Sequence, residues 1–385
     1  MRVIGLMSGT SADGVDAALV EWPEGEAPKP FKLVAFHQDP FPESLQRRVH
    51  ELAAGRLPAG SALSELAALD VLLAERFAES AIALAAGAGI PLKEIDAIAS
   101  HGQTVAHHPE LRATLQIGDP SLIAERTGCT TVADFRPRDI AAGGEGAPLT
   151  PFFHFAALSD PDENRLVLNL GGIANLTWLP RGGRADDVIA FDVGPANVLI
   201  DGVVAIFSEG RESMDRDGAR ARRGKVDEAL LARLLDDEFL RRPPPKSTGR
   251  ERYGTAQAEA LVGEFRSAGR ADDDLVATLT AFTAQAIARA QRNFIDGPVE
   301  RLLVGGGGVE NPALMEALEA ALPGVPVAAF DEAGVPARAA EAMAFALMGR
   351  HALLGIPNHL PRCTGARHAV VLGEISRGNH RTAGG

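Results

Sequence analysis

Asp13 and Asp16 stand three residues apart at the end of Ser8-Gly9-Thr10-Ser11-Ala12, a run of glycine and hydroxyl side chains closed by Asp13-Gly14-Val15. Glycine lets backbone N–H groups approach an anion closely, and Thr10 and Ser11 add hydroxyl donors. Two carboxylates beside a bare phosphate would repel it. They fit if a divalent cation, or a water on it, lies between them and the phosphate oxygens. The rival reading is a plain hairpin with a polar turn, and the chemistry favours the phosphate loop. No Gly-Lys-Ser/Thr follows and the glycines lead into a strand, so this is neither a Walker A loop nor a Rossmann fingerprint.

Three further candidates each follow a short apolar run. Ile95 to Ala99 leads to Ser100-His101-Gly102-Gln103-Thr104, Leu115 to Ile117 to Gly118-Asp119-Pro120, and Thr130 to Ala133 to Asp134-Phe135-Arg136-Pro137-Arg138-Asp139. Polar residues past a strand's C-terminal end are where α/β sheets bind ligands. Singly, His101 and Asp119 are more often turn residues. Together the three loops suggest one cleft edge, with Arg136 the anchor for an anionic substrate group. Asp192 ends the run Val188 to Phe191 and precedes Gly194-Pro195 and a helix from Ala196 to Phe207. Capping and catalysis are equally good readings of it. Gly305-Gly306-Gly307-Gly308, between a strand at Leu302 to Val304 and a helix begun by Asn311-Pro312, could seat a flat ring or a phosphate.

The elements that must position these residues follow from apolar periodicity. Val3 to Met7 and Val15 to Val20 flank the first tip as strands. Leu166 to Leu170 and Leu176 to Leu179 flank Gly171-Gly172-Ile173-Ala174-Asn175, a second glycine hairpin and a candidate internal duplication. Phe31 to Phe36 reads as a strand and Ala369 to Leu372 as a last edge strand. Helices are expected from Pro42 to Ala54, over Ser61 to Ala86 with Leu66, Leu69, Leu73 and Phe77 in the core, and at Pro151 to Leu158. Others follow at Val226 to Phe239, Leu275 to Phe294 and Pro336 to Leu354. Gly210 to Lys225 reads as a solvated loop or lid, and Pro243 to Arg250 as a rigid turn into a basic-hydroxyl loop.

A chain of 385 residues suggests two domains. A formal charge of −13 argues against nucleic acid as a partner. Cys129 and Cys363 lie far apart, which indicates neither a disulfide framework nor a zinc site. The Ser61 to Ala86 segment carries Glu65, Asp70, Glu75, Arg76 and Glu79, so it does not span a membrane. The N-terminus has no signal-peptide pattern, and a cytoplasmic location is expected.

The two glycine hairpins and the late strand-glycine-helix resemble the two phosphate loops and the adenosine loop of the actin/sugar-kinase/Hsp70-like ATPases. Within that superfamily the chain is similar to the 1,6-anhydro-N-acetylmuramic acid kinases. The residues concerned are Met7 to Thr10 with Ser11, Asp13, Gly14 and Asp16, Ser100 to Thr104, Gln116 to Pro120, and Phe135 to Asp139. Asn169 to Asn175, Phe191-Asp192 with Gly194-Pro195, and Lys246 to Arg250 complete the set, which spreads over nearly the whole chain. The resemblance implies a duplicated two-domain α/β fold, actin-like (ribonuclease H-like), with a cleft between the domains. Residues 1–160 would carry the first phosphate loop, with part of the C-terminal segment a candidate to complete them. Residues 161–385 would carry the second phosphate loop, the base and the adenosine loop.

What the resemblance further implies is a homodimeric cytoplasmic kinase of cell-wall sugar recycling. It would use ATP and Mg²⁺ to convert 1,6-anhydro-N-acetylmuramate and water into N-acetylmuramate 6-phosphate. Carried over by position, Gly9, Thr10, Ser11, Ala12, Asp13, Gly14, Val15 and Asp16 bind ATP, Asp192 is the general base and Glu341 contacts the sugar. Gly171, Gly172, Asn175 and Gly305 to Gly307 would complete nucleotide binding, with Arg136, His101 and Asp119 on the sugar side. The chain departs from the family pattern at Ala12, Val193 and Ala196, and at Glu145, where Gln is usual. Two alternatives are a kinase of an ordinary hexose or amino sugar, and an ATP-switched binding protein. The second would need a substrate domain for which the stretch after Leu354 is short.

Overall fold

The opening apolar run becomes strand β1 (Arg2–Ser8), which turns back through β2 (Gly14–Glu21) and β3 (Lys32–Pro40) as an antiparallel meander. The structure is a computed structural model that describes residues 1–249 and 252–379. The chain divides into two compact units, Met1–Ala157 with Ala339–Gly385, and Leu158–Arg338. In the first, β4 (Ala97–His108) lies parallel to β1, and β6 (Thr131–Ala133) parallel to β4. β5 (Ala113–Ile117) pairs with the second half of β4, and the sheet runs β12-β6-β4-β1-β2-β3, with β12 (Glu374–Ser376) at the edge.

The second unit repeats this plan. β7 (Arg165–Leu170), β8 (Ile173–Leu179) and β9 (Ile189–Pro195) form a meander, and β10 (Arg301–Gly305) and β11 (Val327–Ala329) add parallel strands beyond β7. Its order, β11-β10-β7-β8-β9, is the order β6-β4-β1-β2-β3 with each strand replaced by its counterpart. The duplicated α/β arrangement expected from the two hairpins is therefore present in the strand topology itself.

The helices of the first unit are α1 (Glu43–Ala53), α2 (Ala59–Gly87), α3 (Pro120–Thr127), α4 (Phe135–Ala141) and α5 (Pro151–Leu158), which ends at the unit boundary. The second holds α6 (Asn197–Phe207), α7 (Ala219–Arg223), α8 (Glu228–Leu235), α9 (Glu238–Arg241), α10 (Thr255–Ser267), α11 (Asp272–Phe294) and α12 (Pro312–Ala321). α13 (Ala340–Leu354) and α14 (Pro361–Thr364) return to the first. Leu69, Leu73 and Phe77 of α2 are buried against Ile4, Leu6 and Ile98, as the helical spacing requires, with Leu66 half-buried beside them. α13 is buried nearly all round, and small residues let it close on the sheet. A Cβ on Gly5 would stand 1.8 Å from the Ala342 carbonyl oxygen. The second core joins the β7–β10 strands to α6 and α11 through Leu168, Leu176, Val203, Leu279 and Phe282. Among the described residues, no helix is long and apolar enough to cross a membrane.

Several expectations are corrected. β4 does not stop at Ala99. Gly102, at φ +73°, bends it, and Gln103 to His108 continue by pairing antiparallel with β5. Ser100–Thr104 is thus strand and not loop, and Arg136 to Asp139 are helix α4. Asp192 lies inside β9, which pairing with β8 prolongs to Pro195, so Pro195 closes a strand and does not open a helix. Residues 210–225 are largely exposed, as expected, but are not all loop. They contain α7, whose Arg220 and Arg223 pair with Asp273 on α11. The helix expected at Val226 to Phe239 is α8 and α9, broken where Asp237 caps α9 by accepting from Phe239 N at 2.8 Å. α13 starts at Ala340, past Pro336. The edge strand is β12, not Ala369 to Leu372. Leu372 finds its backbone partners on the Asn358 side chain instead (2.6 and 3.0 Å). Arg250, last of the Lys246 to Arg250 motif, lies outside the described residues.

Candidate active site

The tip between β1 and β2 is pinned through its carbonyls. Gln103 Nε2 donates to Gly9 O (3.0 Å), Gln46 Nε2 to Ser11 O (2.9 Å) and Phe41 N to Asp13 O (2.8 Å). Ser8 Oγ lies 2.7 Å from Gln103 Oε1 and 2.8 Å from Gly14 O, and its one proton serves one of them at a time. Ala12 is fully buried at φ +48° and turns inward as the tip's apolar foot. Thr10 and Asp13 are left exposed, Ser11 half-buried. Asp13 accepts from Ser11 Oγ (2.9 Å) and Asp16 from Gln38 Nε2 (2.8 Å).

On the same sheet, Arg136 of α4 reaches His101 of β4. Its Nε and Nη2 stand 3.1 and 2.9 Å from His101 Nε2, and Nη1 donates to Gly146 O (2.7 Å). His101 Nδ1 faces Gly102 O at 2.9 Å, which makes it the protonated nitrogen and leaves Nε2 to accept from the guanidinium. Burial, then the Arg136 charge, push His101 down to about 3, so this histidine is neutral. Burial brings Arg136 down to about 10, against the charges of Glu341 and Asp139. A buried guanidinium whose hydrogen bonds go to neutral acceptors keeps attraction for an anion. Glu341, in the first turn of α13, is half-buried near it.

The strand-end expectation missed how tightly the neighbouring loop is held. Buried Asp139 accepts from Gly146 N (2.8 Å) and Thr364 Oγ1 (2.7 Å), and His359 Nδ1 lies 2.7 Å from it. Gly146 is thereby gripped on both its N–H and its C=O, by Asp139 and Arg136. Glu145 beside it is exposed, with its backbone N–H on Thr364 O (2.8 Å). Asp119 caps α3, its Oδ1 accepting from Ser121 N (2.7 Å). No described contact joins it to Arg136.

In the second unit the tip between β7 and β8 is oriented by α6. Asn197 N and Nδ2 donate to Gly171 O (3.1 and 2.9 Å), and Ala196 N and Val198 N to Gly172 O (2.9 and 3.1 Å). Both carbonyls therefore face the helix, and across each trans peptide plane the amides of Gly172 and Ile173 face the other way. That is an arrangement for an anion. Asn175 Nδ2 donates to Asp192 Oδ1, and the Thr248 amide to Asp192 Oδ2 at 2.9 Å. A donor on each oxygen fixes the plane of the carboxylate. Thr248 belonged to a motif legible in the sequence, but a backbone donor leaves no side-chain signature.

The glycines separate into two groups. A Cβ would strike Phe330 at Gly305, Asn169 at Gly306 (φ +81°) and Leu170 at Gly308, all within 2.5 Å, so packing alone requires them. At Gly9, Gly171 and Gly172 the nearest atom would be 3.6–3.7 Å away, and at Gly307 none lies within 4 Å. None of these four has positive φ. Neither packing nor conformation demands them, and each leaves backbone open to a ligand. For a divalent cation, no group of three or more His, Cys, Asp or Glu is assembled among the described residues. Asp13 and Asp16 would need water and phosphate oxygens to complete a shell, which is how magnesium is commonly held.

The chain matches the profile of the anhydro-N-acetylmuramic acid kinase family over residues 1–378. It is 44% identical over 384 residues to the anhydro-N-acetylmuramic acid kinase of Caldanaerobacter subterraneus subsp. tengcongensis, covering 97% of this chain and 96% of the relative. The enzyme of that name from Gloeobacter violaceus is 45% identical over 378 residues, with 97% of each covered. That from Salinibacter ruber is 42% identical over 385 residues, with 97% of this chain and 96% of the relative covered. Among solved structures, component A of the (R)-2-hydroxyglutaryl-CoA dehydratase of Acidaminococcus fermentans is similar at 16% identity and TM-score 0.43, covering 90% and 96%.

Proposed function

Because the chain belongs to the anhydro-N-acetylmuramic acid kinase family, we propose that it phosphorylates 1,6-anhydro-N-acetylmuramate on O6 while water opens the anhydro ring. The carrying observation is Asp192, an oriented carboxylate with both oxygens on neutral donors. Asp192 takes a proton from water, the water oxygen bonds to the anomeric carbon, and the bond from that carbon to O6 breaks. O6 takes the γ-phosphoryl group of ATP and ADP leaves. The water's second hydrogen stays on the new anomeric hydroxyl, and the proton on Asp192 returns to solvent. Simple transfer would need a free hydroxyl at O6, which the anhydro ring lacks.

The open glycines Gly9, Gly171, Gly172 and Gly307 would receive nucleotide, with Thr10, Ser11 and Asn175 beside them. Asp13 and Asp16 would hold Mg²⁺, which when bound offsets phosphate charge. On the sugar side, Arg136 with His101 and Glu341 would bind the lactyl carboxylate and its neighbours, and Asp119 would contribute its second oxygen. The product, N-acetylmuramate 6-phosphate, belongs to peptidoglycan recycling in the cytoplasm, where ATP is supplied. The homodimer implied by the resemblance is open to sedimentation.

Isotope labelling tests the coupling. In ¹⁸O water the label should enter the anomeric carbon of early-trapped product above the level of unlabelled product incubated in the same water. It should be absent from the phosphate. Phosphorylation of free N-acetylmuramate in preference to the anhydro sugar, or no early label, would show an ordinary sugar kinase instead.

A further inference from the structure

The base reading leaves unexplained a lysine buried behind Asp192. Resting on that reading, we propose that Lys246 is its positioning residue. Its ammonium anchors the segment whose carbonyl and amide clamp Asp192 from two sides. Lys246 O accepts from Asp192 N (3.1 Å), and two residues on, Thr248 N donates to Asp192 Oδ2 (2.9 Å). The anchor is the side chain. Lys246 is 5% exposed, and its Nζ donates to Phe239 O (3.1 Å) near Leu240 O (3.5 Å), at the end of α9. The rings of Phe239, Phe294 and Phe191 surround Nζ with centroids at 4.7, 4.9 and 5.7 Å.

A methionine or leucine would fill such a ring cage without a charge to desolvate. A cation there is therefore not a packing choice. Among the described residues no carboxylate oxygen lies within ion-pair distance of Nζ, so the cage is not the seat of a structural salt bridge. Hydrogen bonds to the α9 carbonyls and attraction to the three ring faces hold the ammonium in place. The charges that bear on it are Asp192 and Asp237, which favour the cation, and Arg242 and Arg289, which oppose it. Burial is the largest influence and brings the ammonium down to about 8. Lys246 is thus charged at neutral pH and loses its proton in mild alkali, when the α9 carbonyls lose their charged donor and the clamp on Asp192 slackens.

The test is kcat against pH, with nucleotide affinity and circular dichroism as folding controls. Wild type should lose kcat on an alkaline limb near pH 8, and Lys246→Arg, which stays charged, should carry that limb out of range. Lys246→Met should lower kcat about tenfold or more and raise the acid limb, with KM for ATP held within about twofold. An alkaline limb unmoved in Lys246→Arg, or a wild-type profile in Lys246→Met, overturns the proposal. If neither variant folds, a wild-type kcat level to about pH 9.5 overturns it, and a limb that matches the NMR titration of the Lys246 amine supports it. An active Asp192→Asn would sink the base reading itself. An inactive one beside normal Lys246 variants would sink only the role of Lys246.

Discussion

Asp192→Asn keeps the outline of the side chain but turns one acceptor into an NH₂ that must face Asn175 Nδ2 or the Thr248 amide, both donors. Loss of the base and of its orientation should lower kcat by roughly two to four orders of magnitude while nucleotide still binds. Calorimetric titration with a non-hydrolysable ATP analogue, beside turnover, checks both halves, and near-normal turnover would reduce Asp192 to a strand residue. At this scale the sequence was a good guide to residue types and a poor one to their partners. Spacing left Asp192 poised between cap and base because nothing local says that β9 continues to Pro195. It named His101 and Arg136 separately. That one accepts from the other depends on the bend at Gly102, which only the pairing with β5 reveals.

At the scale of elements, the glycines make opposite predictions. Gly5→Ala puts a methyl into the Ala342 carbonyl, so β1 and α13 must part. A thermal midpoint several degrees lower is expected, consistent with overpacking costs of about 1–3 kcal/mol. Gly307→Ala meets nothing within 4 Å and should leave the midpoint within a degree or two, yet raise KM for ATP. Equal midpoints for the two variants would refute the first half, and an unchanged KM in Gly307→Ala the second. The hairpins and the long helices were legible because their apolar periods are unbroken. α10 was missed, since its buried Ala258, Leu261, Val262 and Phe265 stand among Gln, Glu, Gly and Arg. Residues 210–225 read as loop because their charge shows in sequence while the Asp273 that holds α7 lies some fifty residues on.

Across the whole molecule, titration should be lopsided. Burial first, in each case, holds His101 and His154 down to about 3 and His107 and His351 to about 4, and all four lie in the first unit. The second unit, 158–338, contains no histidine. Below about pH 6.5 the unfolded chain binds protons that the folded histidines refuse, so stability falls as pH falls toward 4. Each such group contributes up to about 1.4 kcal/mol per pH unit. Hydrogen exchange at pH 7 and pH 5 should therefore show protection lost in β1–β6 and α13 before β7–β11. Equal loss in both units would refute it.

The return of α13 to β1 also bears on how the chain is made. The surface around Gly5 that α13 covers is synthesised first, but its cover follows only after residues 158–338 have left the ribosome. At about 5–20 residues per second that is a wait of roughly ten to forty seconds, during which the contiguous second unit can finish folding ahead of the first. Translation halted before Ala339 should therefore leave the N-terminal sheet protease-sensitive beside a resistant second unit.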